Sequence, residues 1–505
     1  MHKSEKLTTK AFGFFILIAA AVFVIMLMLF TINKLAPVTK SRIEDCNSRI
    51  TDFNASLEQY EKEGLDENNE NVKFAKGRVE LYTNRIKMLE NREKSYTLSM
   101  AFVVCILTVA AAFQYIKTAT FRRRSIYTSE EEICGYYYPK ISALLAAFGI
   151  LMAIGITYRT IFSIELFDLL MLVGAVFVGF VFFLIYRRAP YIEAKLKKRR
   201  LKKFKKITMA DILFFLPVVG VLMLLAVNVL FGVEYNGSML WISIGGTTIQ
   251  PGEFVKVLLI ILFASSYGKM WRAVVSVFTA GAAFLVLLYL KDLGTGLVIF
   301  AMVIVLLLLQ LDNKMSFSIF ENRKLVILLM VLAVCFFVVA MALFPHARER
   351  IENVGNAMEN TERQQAEMLR ALIFGGLGGL GLENSNYIIN IFSINSDMAI
   401  AGLTAVFGVG MLLIVLLCYS VIIVVPVRKY SLHRQFYFAA SQVSIVLVVQ
   451  VILNALGSVD VLPFTGIVAP FISDGGSALV SFCAMIGIVL ATLHPQIKSL
   501  EVSGR

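Results

Sequence analysis

Twelve apolar runs recur along this 505-residue chain, near 11–33, 99–117, 141–158, 165–186, 209–232, 252–268, 272–290, 295–311, 324–344, 398–425, 435–457 and 476–493. Most fall in the range of about 17–25 residues that a helix needs to cross a hydrocarbon layer about 30 Å thick. The pattern predicts an all-α polytopic membrane protein of about 12 transmembrane helices.

A different periodicity fills 34–98. Ile43, Cys46, Ile50, Phe53, Leu57 and Tyr60 recur at steps of three and four, and so do Val72, Ala75, Val79, Tyr82, Ile86 and Leu89. Gly64 and a polar, acidic run to Asn71 separate the two stripes. Two heptad stripes around a turn predict an antiparallel helical hairpin continuous with the flanking membrane helices. It reads either as a self-packed stalk or as a docking arm for another protein. The expected organisation is an N-terminal transmembrane pair with its hairpin (1–117), a cytoplasmic linker (118–140) and a ten-helix membrane core (141–505) with a large extracytoplasmic loop at 345–397.

One stretch breaks the helical pattern near the C-terminus. Residues 462–477 read LPFTGIVAPFISDGGS between two apolar runs. Backbone without helical partners is not tolerated facing lipid, so this segment must fold against protein or at the edge of a water-filled cavity.

Composition and charge sharpen the picture. Hydrophobic residues make up 58% of the chain, which excludes an ordinary soluble domain. The net charge of +13 sits mainly beside apolar runs, as in 187–206, where positive residues set topology and meet anionic headgroups; a nucleic-acid partner is not expected. With 187–206 in the cytoplasm, alternation also puts 121–124, 269–272, 322–324, 428–434 and both termini inside. Outside fall 34–98, 233–251, 345–397 and 458–475, which carry the turn residues and acids. The six cysteines have neither paired nor CxxC spacing, so free thiols are expected. The first apolar run is longer than a signal-peptide core and reads as an uncleaved anchor.

Candidate chemistry gathers in the outer segments. Pro251 sits where a helix can begin, which puts Glu253 and Lys256 three apart on one face of its first turn. An ionisable pair at a membrane boundary is costly and is either functional or internally paired. Asp292, in KDLGT at 291–295, is a capping residue or a site residue. Arg348, Arg350, Arg363 and Arg370 suit a phosphate or diphosphate through the guanidinium fork, or pair with nearby glutamates. The glycines at 375–381 lack the context of a nucleotide motif and read as a place of close backbone approach. Asp397 opens an apolar helix, either as an N-cap or as a general base for a sugar hydroxyl. No metal-ligand spacing appears.

Taken in order, LWISIG (240–245), QPGEFVK (250–256), KDLGT (291–295), HARER (346–350), ALIFGGLGG (371–379), SDMAIAGLTAVFG (396–408) and LPFTGIVAPFISDGGS (462–477) resemble the recurring strings of the SEDS family, named for shape, elongation, division and sporulation. The resemblance covers about 141–493. It implies a peptidoglycan glycosyltransferase that polymerises lipid II beside a class B penicillin-binding protein, with Asp397 as the essential acid. Glu253, Lys256, Arg348 and Arg350 match family positions, and Arg370, Asp292, Ser473 and Ser477 complete the expected substrate-binding set. In the implied reaction Asp397 deprotonates the acceptor hydroxyl. Arginines, with or without a divalent cation (Mg2+ or Mn2+), stabilise the departing polyprenyl diphosphate. The chain departs from the family pattern at Ser393, Ile394 and Asn395, at Leu380, at Ala405 and Val406, and at Asp474. A non-catalytic scaffold and a lipid-linked precursor transporter are the alternative readings.

Overall fold

Two helices of unusual length open the chain, α1 (His2–Lys62) and α2 (Glu70–Arg123), followed by α3 (Ser129–Thr160) and α4 (Leu166–Lys198). The computed structural model describes the chain apart from residues 1, 64–68, 124–128, 163–165, 199, 202–203, 236, 267–268, 312–318, 356–362, 390, 392, 428–433 and 494–505. The predicted turn after Gly64 and most of the basic 428–434 stretch therefore lie outside the described residues.

α1 and α2 run antiparallel, and their stripes meet. Cys46, Val72, Ala75, Tyr82 and Leu89 are buried, and Phe53 stacks on Tyr82 with centroids 6.1 Å apart. Below them, Leu17, Val24, Met100 and Leu107 join the same apolar core as Leu144 and Leu151 of α3. The helical pair thus continues from the membrane into the hairpin without a break.

A two-stranded ribbon, β1 (Arg200–Leu201) and β2 (Phe204–Thr208), leads to α5 (Met209–Phe231). Next comes a three-stranded antiparallel sheet of β3 (Gly232–Tyr235), β4 (Ser238–Ile244) and β5 (Thr247–Ile249), in that order. The sequence reading placed no strand here. The signal was present: Val233 faces Trp241 and Ile242 faces Ile249, with positive-φ glycines at 237, 245 and 246 making the turns.

The remaining helices are α6 (Pro251–Ser265), α7 (Met270–Tyr289), α8 (Leu293–Leu311), α9 (Ile319–Leu343), α10 (Pro345–Glu352), α11 (Arg363–Gly375), α12 (Asn386–Ile389), α13 (Ala399–Val427), α14 (Arg434–Gly457) and α15 (Gly476–Thr492). Among the described residues ten helices are long and apolar enough to cross a membrane. The other two of the twelve anticipated runs form α6 and α15, shorter at 15 and 17 residues. All five described cysteines are free.

On the face away from the hairpin, Asp211 at the start of α5 collects two cations. Arg272 Nη2 donates to its Oδ1 at 2.7 Å, and Lys269 pairs with the same oxygen. The cluster joins α5 to α7 where charge would otherwise meet lipid.

On the hairpin face, α13 is broken at Gly408, whose φ of 79° an L side chain rarely adopts. The break admits the glycine run after α11. Leu380 N–H donates to Ala405 O at 2.8 Å, Gly381 N–H to Val406 O at 2.9 Å, and Val409 N–H to Leu377 O at 3.0 Å. A Cβ on Gly379 would collide with the Val406 carbonyl. The expected close approach is thus made to α13, at the Ala405 and Val406 carbonyls.

Candidate active site at the 393–398 turn

Residues 393–398 form a tight turn before α13. Ser393, at a φ of 58°, offers its carbonyl to the N–H groups of Ser396, Asp397 and Met398 at 3.0–3.2 Å. The turn presents Asp397 as a half-buried side chain just outside the membrane-spanning part of α13.

The 462–475 segment clasps that turn. Asp474 N–H donates to Asn395 O at 2.8 Å, and Ser473 Oγ donates to Ser396 O while accepting from Ala469 N–H at 2.7 Å. Asn454, inside α14, links all the parts. Its Nδ2 donates to Asp397 O and to Ile467 O, each at 2.8 Å, and its Oδ1 accepts from Ile400 N–H at 3.2 Å. From the other side Tyr158 Oη donates to Ile394 O at 2.7 Å. Phe471, held at a φ of 67°, is wedged between Phe148 and Phe482 with its carbonyl against Gly155. A bulky residue in that conformation persists only where its surroundings over-determine it. The irregular backbone that the membrane argument required is therefore a buried brace for the Asp397 turn.

Burial raises the Asp397 carboxyl from its ordinary value to about 6. A hydrogen bond with Ser396 and the charge of Arg350 pull it down, and the charge of Asp292 pushes it up. A carboxyl poised near neutral pH can hold or release a proton within the working range of a general base.

The other anticipated residues divide. Arg350 is half-buried and its charge reaches Asp397. Asp292 Oδ1 accepts from Thr295 N–H at 2.9 Å, which caps α8, and burial raises its carboxyl as well. Arg348 is exposed and pairs with Glu352 at 2.6 Å. Arg370 is exposed on α11. Glu253 and Lys256 pair at 2.7 Å with almost no exposure, and Ser481 Oγ donates to the free Glu253 oxygen at 2.9 Å. Ser477 Oγ accepts from Gln250 N–H at 3.1 Å, ahead of Pro251 at the start of α6. Glu253, Lys256, Ser473 and Ser477 thus join segments within the protein, while the charges of Arg350 and Asp292 act on Asp397 and those of Lys256 and Glu253 act on Asp292.

Sequence reasoning missed Asn454 and Tyr158 and gave Ser396 no role of its own. An asparagine in the apolar run of α14 was the available signal, because a polar group at membrane depth needs partners. It also missed Arg159, next to Tyr158, which offsets the changed residue Asp474. Burial raises the Asp474 carboxyl; the Arg159 charge opposes this and Asp168 adds to it.

The family model described as FTSW_RODA_SPOVE, cell cycle protein, matches residues 137–497. The chain belongs to this family. Among curated relatives, peptidoglycan glycosyltransferase RodA of Mycobacterium leprae is 27% identical over 299 residues, 52% of this chain and 59% of that protein. Stage V sporulation protein E of Bacillus subtilis is 27% identical over 274 residues, 51% of this chain and 72% of that one. Among solved structures, a chain of a peptidoglycan synthase complex aligns with a TM-score of 0.49 and 19% identity, over 69% of this chain and 96% of that one. The match to the mycobacterial relative thus spans about three fifths of its length. Within the FtsW/RodA/SpoVE match lie the Asp397 turn, its brace and Arg350, whereas α1 and α2 precede it.

Proposed function

We propose that this FtsW/RodA/SpoVE member is a peptidoglycan glycosyltransferase that polymerises lipid II on the outer face of a bacterial cytoplasmic membrane, with both termini in the cytoplasm. The observation that carries the reading is Asp397: a half-buried carboxyl with a raised pKa, beside the charge of Arg350, in a chain of this family. Asp397 takes the proton from the acceptor sugar hydroxyl, whose oxygen then bonds to the anomeric carbon of the donor. The bond from that carbon to the polyprenyl diphosphate breaks, and the diphosphate leaves with the electron pair. Arg350 offsets the charge that builds on the diphosphate.

Among the described residues no three His, Cys, Asp or Glu side chains converge, so no residue is assigned to Mg2+ or Mn2+. No step is therefore routed through a metal. A class B penicillin-binding protein is the proposed partner, cross-linking the strands as they emerge. The test is lipid II polymerisation by the purified chain with its transpeptidase. Glycan from wild type and none from Asp397→Ala or Asp397→Asn supports the reading. Polymer from the variants, or none from any form while the complex stays intact, overturns it.

A further inference from the structure

A second site stands where the hairpin meets the core, and nothing in the proposed reaction uses it. A cavity of about 560 Å³ opens between α2, α1 and the ends of α3 and α12, lined by Arg42, Arg85, Arg92, Phe162 and Ile389, with Glu80 its one acid. Arg85 and Arg92 are seven residues apart on α2, hence on one helical face. Arg42 reaches in from α1 and is anchored through Nη1 to Ile161 O at 3.2 Å and Nη2 to Ser385 Oγ at 3.4 Å.

Arg92 decides the chemistry. It is only 1% exposed, and its Nη2 donates to Thr39 Oγ1, but its Nε and Nη1 meet no hydrogen-bond partner. A buried guanidinium with two open donors is costly, and the positive charge of Arg42 adds to that cost while Glu93 opposes it. Nε shares an edge with Nη2, which Thr39 engages, while Nη1 lies across the guanidinium, so the two open donors are each available singly to an oxyanion. Three arginines against one glutamate set the sign of the ligand. The volume exceeds that of a bare ion, and Phe162 and Ile389 add apolar wall for a substituent.

We infer that this cavity is a binding site for a phosphate ester, gripped by Arg92 with Arg85 and Arg42 around it. The ester is either a lipid headgroup or a soluble phosphate ester, and the site joins ligand occupancy to the seating of the hairpin on the core. The inference is independent of any role for Asp397.

The test uses the purified full chain. sn-Glycerol 3-phosphate, with glycerol and sodium chloride as controls, is titrated against thermal unfolding. In parallel, native mass spectrometry compares retention of phosphatidylglycerol with phosphatidylcholine after passage through mixed nanodiscs. Saturable stabilisation by the soluble ester, selective retention of phosphatidylglycerol, or both, supports the site; the arm that responds identifies the source. Arg92→Gln is expected to abolish the response, and the exposed Arg85→Gln, which leaves the buried packing intact, to weaken it about tenfold. Should Arg92→Gln not fold, Arg85→Gln alone carries the test. Response in neither arm, response unchanged in Arg85→Gln, or response to polyglutamate in place of the phosphate probes overturns the inference.

Discussion

Asn454 Nδ2 donates to the backbone carbonyl of Asp397 at 2.8 Å, so the position of the candidate base is held by a side chain 57 residues away on another membrane helix. The same amide reaches Ile467 O and accepts from Ile400 N–H, so one residue fixes the turn, the start of α13 and the brace together. Asn454→Leu removes this partner from Ile467 O and Ile400 N–H and leaves Asp397 O with Ser458 Oγ at 3.3 Å, at about 1–3 kcal/mol for each group stranded. The expected outcome is a lower melting temperature and loss of lipid II polymerisation although Asp397 is intact. Full activity at an unchanged melting temperature would show that the clamp is dispensable.

Asp397 sets a pH dependence. Burial raises its carboxyl to about 6, and the proposed reaction uses the ionised form. Turnover should therefore rise about tenfold per pH unit below about pH 6 and level off above it. Stability runs the other way: the folded protein holds this proton more tightly than the unfolded chain, so Asp397 costs stability as pH climbs from 3.8 toward 6. Arg350→Ala removes a pull toward lower values, so the inflection should move up, whereas Arg348→Ala, on an exposed pair, should leave it in place. A pH–rate series on the three proteins checks this.

Glu253 and Lys256 should behave as a buried pair and not as substrate contacts. Breaking the pair with Glu253→Gln strands a buried ammonium, which typically costs about 3–5 kcal/mol, while replacing both partners with methionine should recover much of the loss. Melting temperatures of the single and double variants in detergent provide the measurement. A variant that melts normally but shows a raised KM for lipid II would return the pair to the substrate site.

Asp474 and Arg159 should be coupled. Asp474→Asn removes a negative charge near Arg159, and Arg159→Gln removes the positive one. Their effects on stability should be less than additive by about 0.5–1 kcal/mol in a double-mutant cycle. Additive effects would mean that the two charges do not work together.

Much of this protein was legible in one dimension. Apolar runs of membrane length anticipated the helices, and the steps of three and four in 34–98 anticipated the hairpin stripes, because a helix repeats its faces locally. The motif strings carried the family and pointed to Asp397. The sheet at 232–249 was not anticipated, although its turn glycines and alternation are present, because short strands gain their stability only from pairing with one another. Arg348 looked equivalent to Arg350 in sequence, and only packing separates an exposed ion pair from a charge that reaches Asp397.

By itself the sequence determined what is local: helix lengths, the hairpin, and the point in 462–477 where no membrane helix can continue. Tertiary structure alone decided that this segment braces the Asp397 turn, that Asn454 joins them, and that Arg42, Arg85 and Arg92 converge on one cavity. The reason is physical. Backbone periodicity is set by neighbours in the chain, whereas the partner of a buried carbonyl, carboxyl or guanidinium is set by which distant segment the fold brings within about 3 Å of it.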